Sequence, residues 1–265
     1  MERSRIVLVL SGGGLRCRAA LGVLRRLHDE AVPIHGIIGV SGGALIAAYY
    51  VGIGWSVEEC IAEVGQLDSK MLMGYGAARS RWRPLSSLGR RLAGRVPEWL
   101  SLLDAASFDR PHHGVEAVGI LAYDVARREP VFFATGRDND GVEMGWAARG
   151  SAAVPGVLGP IEVRGRSRTF RLVDGGVGDP LPVHRAFEPP FEATVAVAVD
   201  LARDPRAILR RRQLAARYGG GRIVWLRPRV GIYGTLLSRR GAMGRLVEAG
   251  ERSIAPAALE RIRHG

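Results

Sequence analysis

A serine flanked by glycines, a run of three glycines and a carboxylate ahead of two more glycines are the parts of this chain that could do chemistry. The serine is Ser41, in Gly39-Val40-Ser41-Gly42-Gly43. In a G-x-S-x-G turn, a sharp strand-to-helix reversal exposes the hydroxyl, and the flanking glycines let backbone pass closely. The helix that follows favours developing negative charge at its N-terminus. The same pentapeptide also serves as an ordinary glycine-rich turn.

The glycine run is Ser11-Gly12-Gly13-Gly14-Leu15-Arg16. Three glycines at a helix start can offer unblocked backbone N–H groups to an anion. A phosphate cradle, an oxyanion hole and a tight βα turn all fit that description. The phosphate readings fit badly. A dinucleotide fingerprint places a third glycine where this chain has Cys17, and it wants an acidic residue at the end of the second strand, where residues 34–39 have none. A P-loop needs Gly-Lys-Ser/Thr, and Lys70 is the sole lysine. The carboxylate is Asp174, in Asp174-Gly175-Gly176. At a strand end it could approach another backbone closely, although Asp-Gly is also a common hairpin turn. Together the three motifs supply a candidate nucleophile, a candidate base and candidate oxyanion donors, which is what acyl transfer requires.

Positioning them requires strands that end where the motifs begin. Ile6–Leu10 and Gly36–Val40 read as apolar strands. Residues 15–30 read as a helix with Ala20, Val23, Leu24 and Leu27 on one stripe and Arg18, Arg25, Arg26 and Asp29 largely off it. Residues 42–51 read as a second helix. A β-α-β-α opening with strands apolar throughout predicts a parallel sheet covered on both faces. Further strands are expected at 120–123, 131–134, 170–173, 194–199 and 223–226, and a helix at 244–263. The expected fold is α/β, three layers around a mostly parallel sheet, in a single domain over residues 1–265. Residues 70–111 interrupt the rhythm. They interleave Arg79, Arg81, Arg83, Arg90, Arg91 and Arg95 with Trp82, Leu85, Leu88, Leu92 and Trp99. They read equally well as a cap over the site and as a solvated helical insertion.

Rivals to this constellation are present. A Ser-His-Asp triad in the order serine, aspartate, histidine would need His184 or His264. Asp124 and Asp200 also fall at strand ends, without following glycines. The pair His112-His113 lacks a carboxylate or cysteine cluster, and Cys17 and Cys60 lack ligand spacing, so neither a metal nor another cofactor is expected.

The segments Ile6–Leu10, Gly12 to Arg16, Gly22-Val23-Leu24 and residues 36–45 closely resemble the opening of patatin-like phospholipases. Ser151 to Gly156 with Pro160, then Leu172 to Gly176, then Leu181-Pro182-Val183, resemble the stretch carrying that family's aspartate. The resemblance is clear over about the first 55 residues and over 150–185. It implies a lipid acyl hydrolase with Ser41 as nucleophile and Asp174 as base, in a dyad without histidine. Gly12, Gly13 and Gly14 would form the oxyanion hole with Arg16 beside it, Gly39 and Gly43 would shape the nucleophile elbow, and Gly175 and Gly176 would complete the aspartate motif. Two positions depart. Cys17 stands where the family has glycine, so a side chain crowds the helix start; and Asp179-Pro180 stands where an asparagine is usual. Cys17 keeps open an alternative, a family member that binds lipid or a partner without turnover.

The formal net charge is +12, almost all from arginine. A genome-wide bias toward arginine and a preference for anionic partners explain it equally well. Arg203, Arg206, Arg210, Arg211 and Arg212 read first as a solvated helix face and second as a contact for anionic phospholipid. Without a helix-turn-helix, zinc finger or stacking pair, no specific nucleic acid is expected. No run of about 18 apolar residues predicts a membrane span. The short apolar run after Arg5 is not a signal-peptide core. The expected setting is cytoplasmic, with a lipid substrate and transient contact with anionic membrane.

Overall fold

The computed structural model describes residues 4–64, 99–201, 207–231 and 242–264. Residues 70–98, the bulk of the segment read as a cap or insertion, lie outside the described residues, as do Arg203 and Arg206.

An eight-stranded sheet forms the middle layer. Strands β1 (Ile6–Leu10), β2 (Gly36–Val40), β3 (Ala117–Asp124), β7 (Val195–Val199) and β8 (Ile223–Leu226) run parallel, in the spatial order β3-β2-β1-β7-β8. Three strands run against them: β4 (Glu129–Ala134) and β6 (Thr169–Asp174) each pair with β3, and β5 (Ile161–Arg164) pairs with β6. The sheet is mostly parallel, as expected.

The strand sequences explain the layering. All five residues of β1 are buried, and their period-2 alternation divides them between two cores. Ile6, Leu8 and Leu10 face a cluster that includes Ala20, Val23, Leu24 and Leu27 of α1 (Arg18–Asp29) and Ala44 and Ala47 of α2 (Gly42–Ala47). Val7 and Val9 face the other cluster, with Val183, Ala186 and Phe191, against which Leu214 and Tyr218 of the helix Ala207–Tyr218 pack. Each fully buried Leu or Val contributes roughly 1.5–3 kcal/mol. A sheet with helices on both faces is the three-layer α/β/α fold.

Helix detail differs from expectation in three places. The predicted helix over 15–30 opens with a 3-10 turn, Gly14–Cys17, and becomes α-helical at Arg18. Arg18, read as off the apolar stripe, is only 2% exposed. It opens a helix packed against the helices Ala242–Glu251 and Val57–Val64, and every residue of its first turn is buried. The second helix is α-helical only to Ala47 and widens into π-type turns over Ala48–Ile53. There Tyr49 stacks on Trp55 at 4.6 Å and Tyr50 on His113 at 4.2 Å. The closing segment is two helices, Ala242–Glu251 and Pro256–His264.

The relation of β6 to β2 places the chemistry. β2 lines one flank of β3 over Ala117 to Leu121, ending with Val40 opposite Leu121. β4 occupies the other flank over Gly119 to Asp124. A strand residue has two hydrogen-bonding flanks. β6, which pairs with Ala122, Tyr123 and Asp124, therefore lies on the flank of β2, beyond its end. The two strands run head to head. β2 stops at Val40 opposite Leu121, and β6 stops at Asp174 opposite Ala122.

Candidate active site

Ser41 is the first residue past β2. Its backbone sits at φ 55° and ψ −123°, a region that non-glycine residues occupy only under strain. Neighbouring glycines make the turn feasible. A Cβ on Gly39 would lie 2.6 Å from Cα of Ala44, and one on Gly43 would lie 2.6 Å from the carbonyl oxygen of Leu10. Backbone of β2, β1 and α2 thus passes too closely for any side chain at either position. Ser151, at the end of the helix Met144–Ser151, holds the turn from below. The Ser41 N–H donates to Ser151 Oγ at 2.8 Å, and that hydroxyl donates to the Leu121 carbonyl at 2.6 Å. Its hydroxyl thus bridges Ser41 and β3 where the β2–β3 ladder ends. Nothing in the motif reading singled out Ser151 for this task. A lone serine before Ala152, Ala153 and Val154 gives no signal beyond the resemblance.

Asp174 meets Ser41 at this junction. Its carboxyl accepts a hydrogen bond at 2.8 Å from the Gly176 N–H, and the Ser41 side chain is near enough to help hold the carboxyl in its charged form. Its own N–H donates to the Ala153 carbonyl at 3.0 Å. Ser41 is 4% and Asp174 9% exposed. Burial raises the Asp174 carboxyl above the usual carboxylate value, and Ser41 and Gly176 pull partly against that rise. A base held nearly dry beside a hydroxyl is suited to taking that hydroxyl's proton.

The glycine loop lies on the opposite side of Ser41. A Cβ on Gly12 would fall 3.1 Å from Ser41 Cβ. The Gly12 N–H donates to the Pro180 carbonyl at 3.3 Å, so it is engaged. No hydrogen bond of the Gly13 or Gly14 N–H is found among the described residues. Gly14 adopts φ 56°, which turns the chain into the 3-10 helix. Arg16 is 7% exposed, and both its backbone N–H and its Nε donate to the Gly13 carbonyl, each at 3.2 Å. In a planar trans peptide the carbonyl and the following N–H point oppositely. Fixing the Gly13 carbonyl therefore aims the Gly14 N–H away from Arg16.

Both departures have partners. Cys17 packs onto the first residue of α2: a Cβ on Gly42 would collide with Cys17 Sγ and lie 2.8 Å from its Cβ. The crowding expected from Cys17 is accommodated because residue 42 has no side chain. Burial pushes the Cys17 thiol up to about 11, so it stays protonated at neutral pH. Asp179 is paired rather than stranded. Its Oδ1 accepts from Arg210 at 2.8 Å and from the Leu181 N–H at 3.0 Å.

The rivals are engaged elsewhere. His184 Nδ1 lies 3.7 Å from Asp179 Oδ2, and burial lowers its pKa from 6.5. His264 pairs with Glu260 at 3.2 Å. Asp124, fully buried, takes Arg168 at 3.0 Å and the Ala126 N–H at 3.0 Å. Asp200 takes Arg211 at 3.3 Å and Arg227 at 3.5 Å. The helix carrying Arg210 and Arg211 is thus more than a solvated face, since both arginines turn toward carboxylates at the C-terminal edge of the sheet.

The family model described as patatin-like phospholipase matches residues 8–187. An uncharacterised NTE family protein of Mycobacterium tuberculosis is 29% identical over 205 residues, covering 74% of this chain and 49% of its own length. The uncharacterised protein YqhO of Bacillus subtilis is 24% identical over 191 residues, covering 66% of this chain and 64% of its own. The chain thus spans about half the length of the mycobacterial relative. Among solved structures, VipD from Legionella pneumophila superposes with a TM-score of 0.56 at 12% identity, covering 99% of this chain and 67% of that one. The type III effector protein ExoU superposes with a TM-score of 0.51 at 14% identity, covering 99% and 54%. At such identities the likeness concerns fold.

Proposed function

Because the chain belongs to the patatin-like phospholipase family, we propose that it cleaves acyl esters of lipids through a dyad of Ser41 and Asp174. The burial of the Asp174 carboxyl beside the Ser41 side chain, a neighbour that favours its charged form, carries this reading. Asp174 takes the proton from Ser41 Oγ as Oγ attacks the ester carbonyl carbon. The carbonyl oxygen becomes an oxyanion, for which the Gly13 and Gly14 N–H groups are the donors. The ester C–O bond then breaks, and the departing alcohol takes the proton from Asp174. Water attacks the acyl-enzyme with Asp174 again as base, which releases fatty acid and restores Ser41.

One further observation supports a lipid surface as the substrate's setting. Val177, three residues after Asp174, is 54% exposed. No helix among the described residues is long and apolar enough to cross a membrane. The alternative of a family member that binds without turnover drew on Cys17, and the space left by Gly42 removes that motive.

The experiment is release of fatty acid from phospholipid micelles, together with labelling by a fluorophosphonate probe. Wild type is expected to release fatty acid and to label at Ser41, while Ser41→Ala abolishes both. Undiminished activity in both Ser41→Ala and Asp174→Asn would sink the dyad. A folded wild type that neither turns over nor labels would favour the binding protein.

A further inference from the structure

Beside the glycine loop, on the flank away from Asp174, a cavity of about 370 Å³ opens among Asp200, Leu201, Arg227, Pro228, Arg229 and Val230. These residues follow β7 and β8, so the cavity lies at the C-terminal edge of the sheet, as Ser41 does. Its wall touches the loop directly. A Cβ on Gly13 would sit 3.1 Å from Leu201 Cβ, and the Leu201 N–H donates to Ser11 Oγ at 2.7 Å. Strands lie roughly 4.8 Å apart. From β2 across β1 and β7 to β8 is therefore roughly 14 Å, less the reach of an arginine side chain.

Among the described residues the cavity's charge is unbalanced. Asp200, 4% exposed, faces Arg211 at 3.3 Å and Arg227 at 3.5 Å through the same oxygen, Oδ2. One carboxylate against two guanidiniums leaves a positive surplus. Arg227 reaches Asp200 through Nε, and its side chain is half exposed. Arg229 lines the cavity, and no ion pair of Arg229 is found among the described residues. Three of its backbone donors are already engaged, the Asp200 N–H with the Leu226 carbonyl at 2.9 Å, the Leu201 N–H with Ser11 Oγ and the Val230 N–H with the Pro228 carbonyl. Guanidinium groups match phosphate oxygens in geometry and charge. Three charged linings suit an acyl chain poorly, and a volume above 300 Å³ is that of a small-molecule pocket rather than of a polymer track.

We propose that this cavity receives the phosphate of a glycerophospholipid head group, held by Arg227 and Arg229, while the scissile carbonyl lies at Ser41. Leu201, Pro228 and Val230 form the apolar wall along which the glycerol passes. The assignment builds on the hydrolase reading for its place in turnover, but binding of the phosphate does not depend on Ser41.

The test compares two substrates on the full chain, phosphatidylglycerol in mixed micelles and uncharged p-nitrophenyl butyrate. Arg229→Ala is expected to lower kcat/KM for phosphatidylglycerol about ten-fold relative to that for p-nitrophenyl butyrate, mainly through KM. Arg227→Ala acts in the same direction, and Arg227→Lys recovers part of the loss. Arg252→Ala removes an equal charge from an exposed pair with Glu248 and leaves the ratio where it was. A ratio unmoved by both alanine variants, or moved equally by Arg252→Ala, overturns the proposal. Calorimetry with glycerol 3-phosphate on Ser41→Ala separates this site from the chemistry: binding should persist there and weaken about ten-fold when Arg229→Ala is added. No binding, or binding indifferent to Arg229, overturns the cavity even if the enzyme is active. Persistent binding in a protein that never hydrolyses or labels overturns the hydrolase and leaves the cavity standing. Binding of inorganic phosphate that glycerol 3-phosphate cannot displace would make it a free-phosphate site and overturn the head-group assignment.

Discussion

Ser41 and Asp174 arrive at one point by opposite routes. β2 runs parallel to β3 and delivers Ser41 at the C-terminal edge of the sheet, where a parallel strand must end. β6 runs antiparallel and would carry Asp174 to the far edge if it paired along all of β3. It pairs with only three residues and stops opposite Ala122. The serine is set by topology, whereas the aspartate is set by where pairing ends. The two also differ in strain. Ser41 holds a costly backbone conformation, while Asp174 at φ −48° and ψ 124° is relaxed and caps its own turn through Gly176. Strain thus sits on the nucleophile, and desolvation sits on the base.

The largest test of that division is Asp174→Asn. If Asp174 is the base, kcat falls about a thousand-fold or more. The variant should nevertheless be more stable than wild type at pH 7. Burial raises the Asp174 pKa above its ordinary value of 3.8, so folding favours the protonated form. Stability from this group is therefore greatest at low pH and falls as pH rises from 3.8 through the raised value. Asparagine removes that loss, so its melting advantage should appear at neutral pH and shrink in acid. In wild type, kcat/KM on a soluble ester should drop on acidification, with a midpoint above that of an exposed carboxylate. A profile unchanged in Asp174→Asn would remove the aspartate from the chemistry and return His184 to consideration.

The sequence was legible where one element alone determines a feature. β1 and β2 are apolar on both faces because both faces are buried, and the motifs at their ends follow. The helix Met144–Ser151 was not legible: its two glycines, Gly145 and Gly150, weaken the helical signal. Both are there because the helix packs so closely, with a Cβ on Gly150 falling 2.6 Å from Leu172 Cβ. β5 was missed for a similar reason. Four residues with Glu162 and Arg164 exposed carry too little apolar pattern. The head-to-head meeting of β2 and β6 lies in long-range register, which no local pattern encodes. The pairing of Cys17 with Gly42 is of the same kind. Each residue was visible, and their complementarity was not.

That pair yields the second prediction. Gly42→Ala drives a methyl into Cys17 and should destabilise the fold by about 1–3 kcal/mol, read as a lower melting temperature. Adding Cys17→Gly should restore most of the loss, giving a coupling energy of about 1–2 kcal/mol in a double-mutant cycle. Strict additivity would mean that the elbow relaxes around the new methyl and that the contact carries no constraint.

Ser151→Ala is the third, acting on the strained side of the comparison. It leaves the buried Ser41 N–H without its acceptor, at a cost of about 1–3 kcal/mol. Because that N–H belongs to the residue whose backbone is strained, the loss should fall on kcat, by about ten-fold, with KM little changed. Ser151→Thr keeps the hydroxyl and should recover part of kcat. An equal loss in both variants would point to packing rather than to the hydrogen bond.

The smallest effect is expected at Asp179, which touches neither reacting residue. Its carboxylate is 13% exposed and joins Arg210 to the segment whose Pro180 carbonyl accepts the Gly12 N–H at 3.3 Å. Asp179→Asn keeps an acceptor for the Leu181 N–H and removes the charge, so activity should change by about three-fold or less. Arg210→Ala should be worse, because it leaves a largely buried carboxylate without its cation. Combining the two changes should then return the protein to the level of Asp179→Asn alone. If the charge matters only to the pair itself, the glycine loop will not register the exchange, and fluorophosphonate labelling of Ser41 will keep its rate in all three variants. If the rate follows the pair, Asp179 and Arg210 set the height of the Gly12–Gly14 backbone over Ser41, and the glycine loop depends on an ion pair nearly as much as on its own glycines.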